Sequence, residues 1–436
     1  MSRISDFIRG YLTENHFFNV SFCIMAIVML TLPFTTFFMW PAAVLLVLSF
    51  FLENNWKERW QYFKENLGVP YGLMLLGIYL IPVSGLFYSS DFRVALAEIE
   101  CYMWFLVAPL TLLTISDKMM TVRHLNLLMK IFVLSVVANI LFLFTRGITL
   151  SVIHRDTIYL YYSHFSILRH PTYATLYTTF AFFLILNYLQ KYIQNATKAS
   201  SIILYAVEFI LALGIFCLYS RAGILIFFAL LAVWGMYSLI VFPKRWKRLL
   251  CLFAIIICSF SVLMTTDVMP VNRFAKTKYS LNDKDAGNNE KSEARITIWK
   301  TSYECIKENL PFGVGTGDAF DVIRDKAVEN GFKNISEKHY NSHNQYLQAL
   351  LTTGIPGIFL LLCFVSVPFV LAVKFRNMHL LTLFILLSLN CLFECMFEIR
   401  SGVDFFAIMI PIFMLRTNHM TENQNQLYET SQTPDK

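Results

Sequence analysis

Charge is what this chain has least of. Only 15% of its 436 residues are Asp, Glu, Lys or Arg, and 56% are apolar, whereas a soluble domain carries about 25% charged and roughly 45–50% apolar residues. That excludes a soluble globular fold and leaves a chain solvated by lipid. Cysteine is scarce where it would count. Of nine cysteines only Cys305 lies clearly outside a predicted span. A single exposed thiol makes neither an intramolecular disulfide nor a metal cluster. No small-residue cleavage site follows the first apolar stretch, so that stretch reads as a retained helix. The repeated halves with broken helices that mark many transporters are missing too.

What is present is a succession of apolar segments. A bilayer needs about 20 apolar residues per helix, and candidate spans fall near 17–35, 37–52, 69–88, 98–116, 128–146, 171–189, 201–219, 222–241, 249–265, 345–373, 379–395 and 403–416. The expected fold is an all-α integral membrane protein of about twelve transmembrane helices: nine in 1–265, a large partly helical loop at 266–344, three in 345–416, and a polar, disordered tail at 417–436. The positive-inside bias is met if the N-terminus is cytoplasmic, because Arg3, Arg9, Lys57, Arg59, Lys64 and the basic run at 244–248 then lie inside. Both termini fall inside and the long loop outside. Arg93, Arg146, Arg155, Arg169, Arg221 and Arg400 break the bias at the outer ends, and together they point to an anion on that face.

Within the long loop, "SLNDKDAGNNEKSEA" contains Asp283 and Asp285, a pair that reads as a solvated charged face rather than as a metal site. In "ARITIWKTSYECIKENLPFG" the spacing of Ile296, Trp299, Tyr303, Ile306 and Leu310 predicts an amphipathic helix ending before Pro311, with Arg295 one turn from Trp299. "GVGTGDAF" fits a tight helix–helix turn better than a phosphate nest. Asp318 is placed to cap the next helix and would repel an anion.

His343 stands where the chain re-enters the membrane, at the N-terminal end of an apolar run. Helix N-termini carry partial positive charge, which attracts anions and disfavours imidazole protonation. A neutral imidazole near pH 7 is a general base. Asn344 is placed to orient the ring or bond a substrate hydroxyl. On a continuous helix Gly354 returns to within roughly 20° of the histidine's face and Gly357 to about 40° on the other side, opening a groove beneath it. Pro356 bends that helix, with Thr352 or Thr353 available to satisfy the freed carbonyl. An outer loop at 155–173, "RDTIYLYYSHFSILRHPTY", is dense in tyrosine and histidine, residues at home both at membrane interfaces and against sugars. Its His164 and His170, with His154 just before it, are weaker catalytic candidates than His343.

His343-Asn344, nine residues, then Gly354-Ile-Pro-Gly357 resembles the H-[NSQ]-x9-G-x-x-G signature of bacterial O-antigen ligases in the O-antigen ligase/polymerase (Wzy_C) superfamily. "ARITIWKTSYECIKENLPFGVGTGDAF", "LYSRAGIL" around Arg221, "FEIRSGVDFF" with Glu398, Arg400 and Gly402, and His170-Pro171 resemble further family patterns. The resemblance is specific over about 150 residues of the second half.

The resemblance implies a GT-C-like glycosyltransferase of the bacterial inner (cytoplasmic) membrane. Such an enzyme transfers a glycan from undecaprenyl diphosphate to the lipid A–core oligosaccharide at the periplasmic face. His343 is then the general base of an inverting transfer. Arg221, Arg295 and Arg169 bind the diphosphate through planar forks that stay charged. Asn344, Gly354, Gly357, Trp299, Glu398, Arg400 and His170 support them. No cofactor, nucleotide or metal is implied, because the diphosphate lipid is already activated. The partners are the lipid-linked donor, the core acceptor and membrane lipids, with no nucleic acid. A polymerase or protein O-oligosaccharyltransferase of the same superfamily differs only in acceptor. A lipid-linked glycan transporter is the reading from another class, disfavoured because the charges lie at helix ends rather than mid-membrane.

Overall fold

The computed structural model describes residues 10–65, 69–116, 118–192, 197–241, 250, 253–259, 294–337 and 339–432. The predicted span at 249–265 falls largely outside these residues, and the Asp283/Asp285 pair entirely so. The described residues are helical throughout, with no strand among them. In chain order the helices are α1 (His16–Thr31), α2 (Met39–Leu52), α3 (Trp56–Glu65), α4 (Val69–Gly77), α5 (Leu80–Leu86), α6 (Phe92–Cys101), α7 (Trp104–Leu112), α8 (Val122–His154), α9 (Tyr162–Phe165), α10 (Pro171–Tyr192), α11 (Lys198–Leu218), α12 (Arg221–Val241), α13 (Ala294–Asn309), α14 (Ala319–Glu329), α15 (Lys333–Ser336), α16 (Gln345–Lys374), α17 (Met378–Phe393) and α18 (Arg400–Gln432).

Among the described residues, five stretches are long and apolar enough to cross a membrane: Phe92–Leu112, Val122–His154, Lys198–Leu218, Arg221–Val241 and Gln345–Lys374. His16–Thr31, Met39–Leu52 and Met378–Phe393 are apolar but shorter. This is the architecture of an integral membrane protein, and its elements follow the hydropathy pattern with two local departures. The stretch read as one span over 69–88 is broken between α4 and α5. Pro82 has no N–H to give Ile78, and the chain tightens there through Tyr79 N to Leu76 O and Ile81 N to Ile78 O. The tail is the second departure: α18 runs on to Gln432, so the polar composition beyond Thr417 continues a helix already nucleated in the apolar segment instead of ending it.

Helix ends follow local chemistry. Asn15 caps α1 by accepting from Phe18 N, and Asn377 caps α17 by accepting from His379 N and Leu380 N. Pro171 opens α10, where its missing N–H costs nothing. The main core is a continuous apolar cluster joining α1, α2, α7, α8, α10, α11, α12, α16, α17 and α18.

A second, smaller core sits under α13, α14 and α15, built from Ile298, Cys305, Ile306, Ala319, Ile323, Ala327 and Ile335 against Leu351 of α16. It revises the amphipathic face read for α13. Tyr303 and Leu310 are exposed, while Ile298, Thr301, Ser302 and Cys305 are buried. The Cys305 thiol, read as exposed, is a core residue, because α13 turns its small side chains inward to let α14 approach.

This unit is fastened to the bundle at a break in α16. Gly354 has φ 65 and ψ −144 in the middle of the helix, so the groove geometry expected of an unbroken helix does not apply. Ile355 N, released from Leu351, donates to Pro311 O at 2.8 Å. The carbonyls freed at Leu351 and Thr352 accept from Val314 N at 2.8 Å and Gly315 N at 2.9 Å. The threonines instead bond one turn back, Thr352 Oγ1 to Gln348 O and Thr353 Oγ1 to Ala349 O. A Cβ on Gly354 would lie 1.9 Å from Pro311 O, and one on Gly357 would lie 1.8 Å from Thr353 Oγ1. Gly354 therefore serves backbone docking and Gly357 makes room for the Thr353 side chain, and neither opens a groove. Asp318 does not cap α14 with its side chain; its carboxylate accepts from Ser90 N and Asp91 N, both at 2.8 Å, tying the turn to the end of α5.

Two glycines with positive φ separate strain from contact. Gly331 has φ 73 with nothing within 4 Å of an added Cβ, so Gly331→Ala should cost only the left-handed penalty of about 1–2 kcal/mol. Gly354→Ala adds a backbone collision to that penalty. It should lower the melting temperature of the purified protein well beyond Gly331→Ala, and equal melting temperatures would refute the docking role.

Candidate active site

The site is assembled from helix ends. His343 precedes α16 in the left-handed conformation, φ 46, a backbone state for which histidine is among the more tolerant non-glycine residues. It is held there by Asn341, whose Oδ1 accepts from His343 N at 3.0 Å. Asn344 is the α16 N-cap, accepting from Tyr346 N at 2.9 Å and Leu347 N at 3.2 Å. That occupation, of the kind that contributes about 1 kcal/mol to a helix, replaces the ring-orienting role read for it.

The ring is oriented by a residue the sequence reading passed over. His343 Nδ1 lies 2.8 Å from Glu394 Oε1. Glu394 immediately follows α17 in extended conformation, with φ −155 and ψ 150, which swings its carboxylate across to the start of α16. A carboxylate at Nδ1 favours the tautomer with its proton there, leaving Nε2 with a free lone pair. The signal for Glu394 was in plain view: an acidic residue at the end of an apolar run is a functional candidate by default.

Arg295, from the first turn of α13, reaches the other oxygen, Glu394 Oε2, at 3.4 Å. This contact is long and singular, so most of the guanidinium's five donors remain for another ligand. Burial pushes the Glu394 carboxyl up, but the His343 hydrogen bond and the charges of His343, Arg295 and His170 outweigh it and hold it below its ordinary value. Glu398, four residues further along the chain, goes the other way. Burial first, then Glu98 and Glu394, push it well above the ordinary range, against the hydrogen bond from Asn341. Two neighbouring carboxyls are thus shifted in opposite directions, an arrangement typical of sites that move protons.

His170 joins the same group. It is pushed down mainly by burial, with Glu394 raising it and Arg295 and His343 lowering it, and its ring centroid is 6.3 Å from that of the buried Tyr173. Trp299 lies one turn beyond Arg295, its Nε1 buried with no hydrogen-bond partner. Arg221 opens α12, whose Gly223 packs against Thr175 in the second turn of α10 so closely that a Cβ would lie 2.5 Å from its methyl. The start of α12 therefore adjoins the start of α10, which follows His170.

Three of the six outer arginines are committed elsewhere, which corrects their reading as a common anion site. Arg169 donates to Leu32 O at 2.7 Å and Ser401 Oγ at 3.0 Å, tethering α1, α10 and α18. Arg146 donates to His164 O at 2.8 Å. Arg400 pairs with Glu100 and lies over the Trp40 ring, 5.3 Å from its centroid.

A histidine oriented by a buried ionised carboxylate and flanked by arginine, at the mouth of a helical membrane bundle, defines an enzyme-like site for polar, anionic substrates at the bilayer surface. The comparisons agree. Residues 206–362 match the sequence model of the Wzy_C family, described as O-antigen ligase, and that segment supports a likeness to the O-antigen ligase/polymerase superfamily. The segment contains Arg221, Arg295, Trp299, His343, Asn344, Gly354 and Gly357. Over 137 residues the chain is also 28% identical to an uncharacterized protein of Haemophilus influenzae, an alignment covering 30% of this chain and 34% of the relative. The chain thus matches about a third of that protein's length.

The lowered Glu394 value makes stability pH-dependent. An ionised form favoured in the fold stabilises it above the ordinary glutamate value of about 4.3. The contribution is lost as pH falls below that value and through the folded one. Glu394→Gln should therefore melt below wild type at neutral pH, with the gap closing as pH is lowered below the ordinary glutamate value. A gap that stays constant with pH would show that Glu394 is not ionised in the fold.

Proposed function

We propose that this protein is an O-antigen ligase, transferring a glycan from undecaprenyl diphosphate to the lipid A–core oligosaccharide on the periplasmic face of the inner membrane. The observation that carries the reading is the His343–Glu394 contact with Arg295 on its far side. Glu394 holds the imidazole proton at Nδ1, and Nε2 takes the proton of the acceptor hydroxyl as its oxygen attacks the anomeric carbon. The C–O bond to the diphosphate breaks on the opposite face, so configuration inverts. The imidazolium formed is stabilised by the Glu394 carboxylate. Arg295 and Arg221 receive the negative charge gathering on the departing diphosphate. No step requires a metal. Arg169 is left out of this clamp, since its guanidinium is held between Leu32 O and Ser401 Oγ, and acts by positioning the start of α10.

The twelve-span arrangement with both termini cytoplasmic belongs to the same proposal. It places 294–344 and the N-terminal ends of α10, α12, α16 and α18 on the periplasmic side, where a flipped lipid-linked glycan is presented.

His343→Asn keeps a side chain that tolerates the left-handed backbone but has no base. It should reduce transfer by about 10²–10⁴-fold while the protein still assembles in the membrane. In cells lacking the gene, lipopolysaccharide should lose its long-chain ladder while undecaprenyl-linked polymer accumulates, and only wild type should restore it. Core carrying a single repeat would identify the polymerase instead, and an unchanged pattern would turn the reading to protein glycosylation or transport. Arg221→Ala and Arg295→Ala should each weaken binding of the undecaprenyl diphosphate donor; unchanged affinity in both would remove the diphosphate clamp.

A further inference from the structure

The short helix α3, with the sequence WKERWQYFKE, is fixed to the end of the bundle by one face. Arg59 and Phe63, one turn apart, are both buried. The Arg59 guanidinium donates to Thr114 Oγ1 at 3.0 Å, pairs with Glu53 and lies over the Phe50 ring, 4.5 Å from its centroid. Phe63 packs against Gly72 so closely that a Cβ there would lie 2.3 Å from its Cζ. With that face held, the turn of about 100° per residue sets the direction of every other side chain.

The remaining residues fall into three sectors. Trp56 and Trp60 lie about 60° round from the docked face, Lys57 and Lys64 about 70° beyond them, and Glu58 and Glu65 about 100° beyond the lysines. Both indoles face outward, 44% and 54% exposed, although tryptophan is highly buried on average. Trp60 stacks on Phe63, with ring centroids 5.5 Å apart, and Trp56 meets the Phe51 ring edge-on at 5.1 Å. Phe51 and Leu52 are themselves exposed and end an outward row on α2 that includes Leu45 and Leu48. That row is the face a membrane helix turns to acyl chains, so the indole sector of α3 continues a lipid-facing surface.

Charge selects what lies beyond the indoles. Among the described residues neither Lys57 nor Lys64 forms an ion pair, and the acids of α3 bond elsewhere, Glu58 accepting from Asn55 and Glu65 from Gln61. Lysine stems run along apolar surface and bring the ammonium up among headgroups, and indoles prefer the same interface. A bilayer surface bearing negative headgroups meets all three sectors at once: acyl chains at the indoles, phosphates at the lysines, water at the glutamates. An acidic soluble partner would match the lysines but leave the indoles, which lie in line with the α2 lipid face, uncovered.

We infer that α3 is a lipid-docking helix that seats Trp56 and Trp60 among acyl chains and holds the phosphates of anionic phospholipids through Lys57 and Lys64. This is independent of the reaction proposed above.

The test titrates the full-length protein, in a neutral detergent, with phosphatidylglycerol or phosphatidylcholine carrying brominated acyl chains, and follows the quenching of tryptophan fluorescence. The chain has seven tryptophans, so the α3 signal is the difference between wild type and Trp56→Phe/Trp60→Phe. Both lipids should quench that signal at saturation. Phosphatidylglycerol should reach half-saturation at a lower concentration, by roughly fivefold for each lysine, and added salt should narrow the difference. Lys57→Gln/Lys64→Gln should abolish the preference while keeping the final quenching of wild type, and Glu58→Gln should leave the preference undiminished. Equal half-saturation by the two lipids in wild type, or a preference that survives Lys57→Gln/Lys64→Gln, would overturn the inference. An α3 signal that neither lipid quenches would overturn it too, and would assign the indole face to a protein partner.

Discussion

The site depends on one piece of backbone docking. At Gly354 the α16 ladder is interrupted, and the 311–315 turn supplies both the acceptor for Ile355 N and the donors for the Leu351 and Thr352 carbonyls. Unpaired backbone groups buried at that depth would each cost a large fraction of the protein's net stability, so the turn and the break require each other. Since α13 ends where that turn begins, the same hydrogen bonds fix Arg295 relative to His343. Tyr88, donating from its hydroxyl to Phe312 O at 2.6 Å, and Asp318, accepting from Ser90 N and Asp91 N, lock the turn from the bundle side.

On this frame the chemistry is divided between two carboxyls of one short turn. Glu394 faces a histidine and an arginine and is held below its ordinary value; Glu398 faces Glu98 and a buried amide network and is pushed well above it. Neither shift is set by the residue type. The first comes from opposite charges that outweigh burial, the second from burial reinforced by like charges. His343 touches both through short links, directly to Glu394 and through Asn341 to Glu398.

Much of the fold was legible because apolar runs of membrane length leave little choice of structure. The starts and ends of α1, α2, α11, α12, α16 and α17 follow the hydropathy pattern to within a few residues. The amphipathic α13 was legible as a helix but not in its buried face, because its inward side chains are the small Cys305, Ser302 and Thr301 instead of the large apolar ones. His343 and Arg295 were readable from motif and position. Glu394 was not, because its role depends on a chain turn after α17 that brings together residues about 50 positions apart. The contacts of Arg169 and Arg400 were not legible for the converse reason: their partners, Leu32, Ser401, Glu100 and Trp40, lie far away in sequence.

The break in α16 also sets a depth. Residues 355–374, about 20 in number, rise by about 30 Å, the full thickness of a bilayer's hydrocarbon core. Residues 345–353 are then surplus to the crossing and stand clear of the acyl chains, and their buried side includes Gln345, Gln348, Thr352 and Thr353 where the rest of the helix buries apolar residues. One thirty-residue apolar run is thus a membrane anchor carrying a short pedestal. On the proposed function, the pedestal would lift the imidazole out of the hydrocarbon toward the lipid headgroups, where a tethered glycan would meet its acceptor.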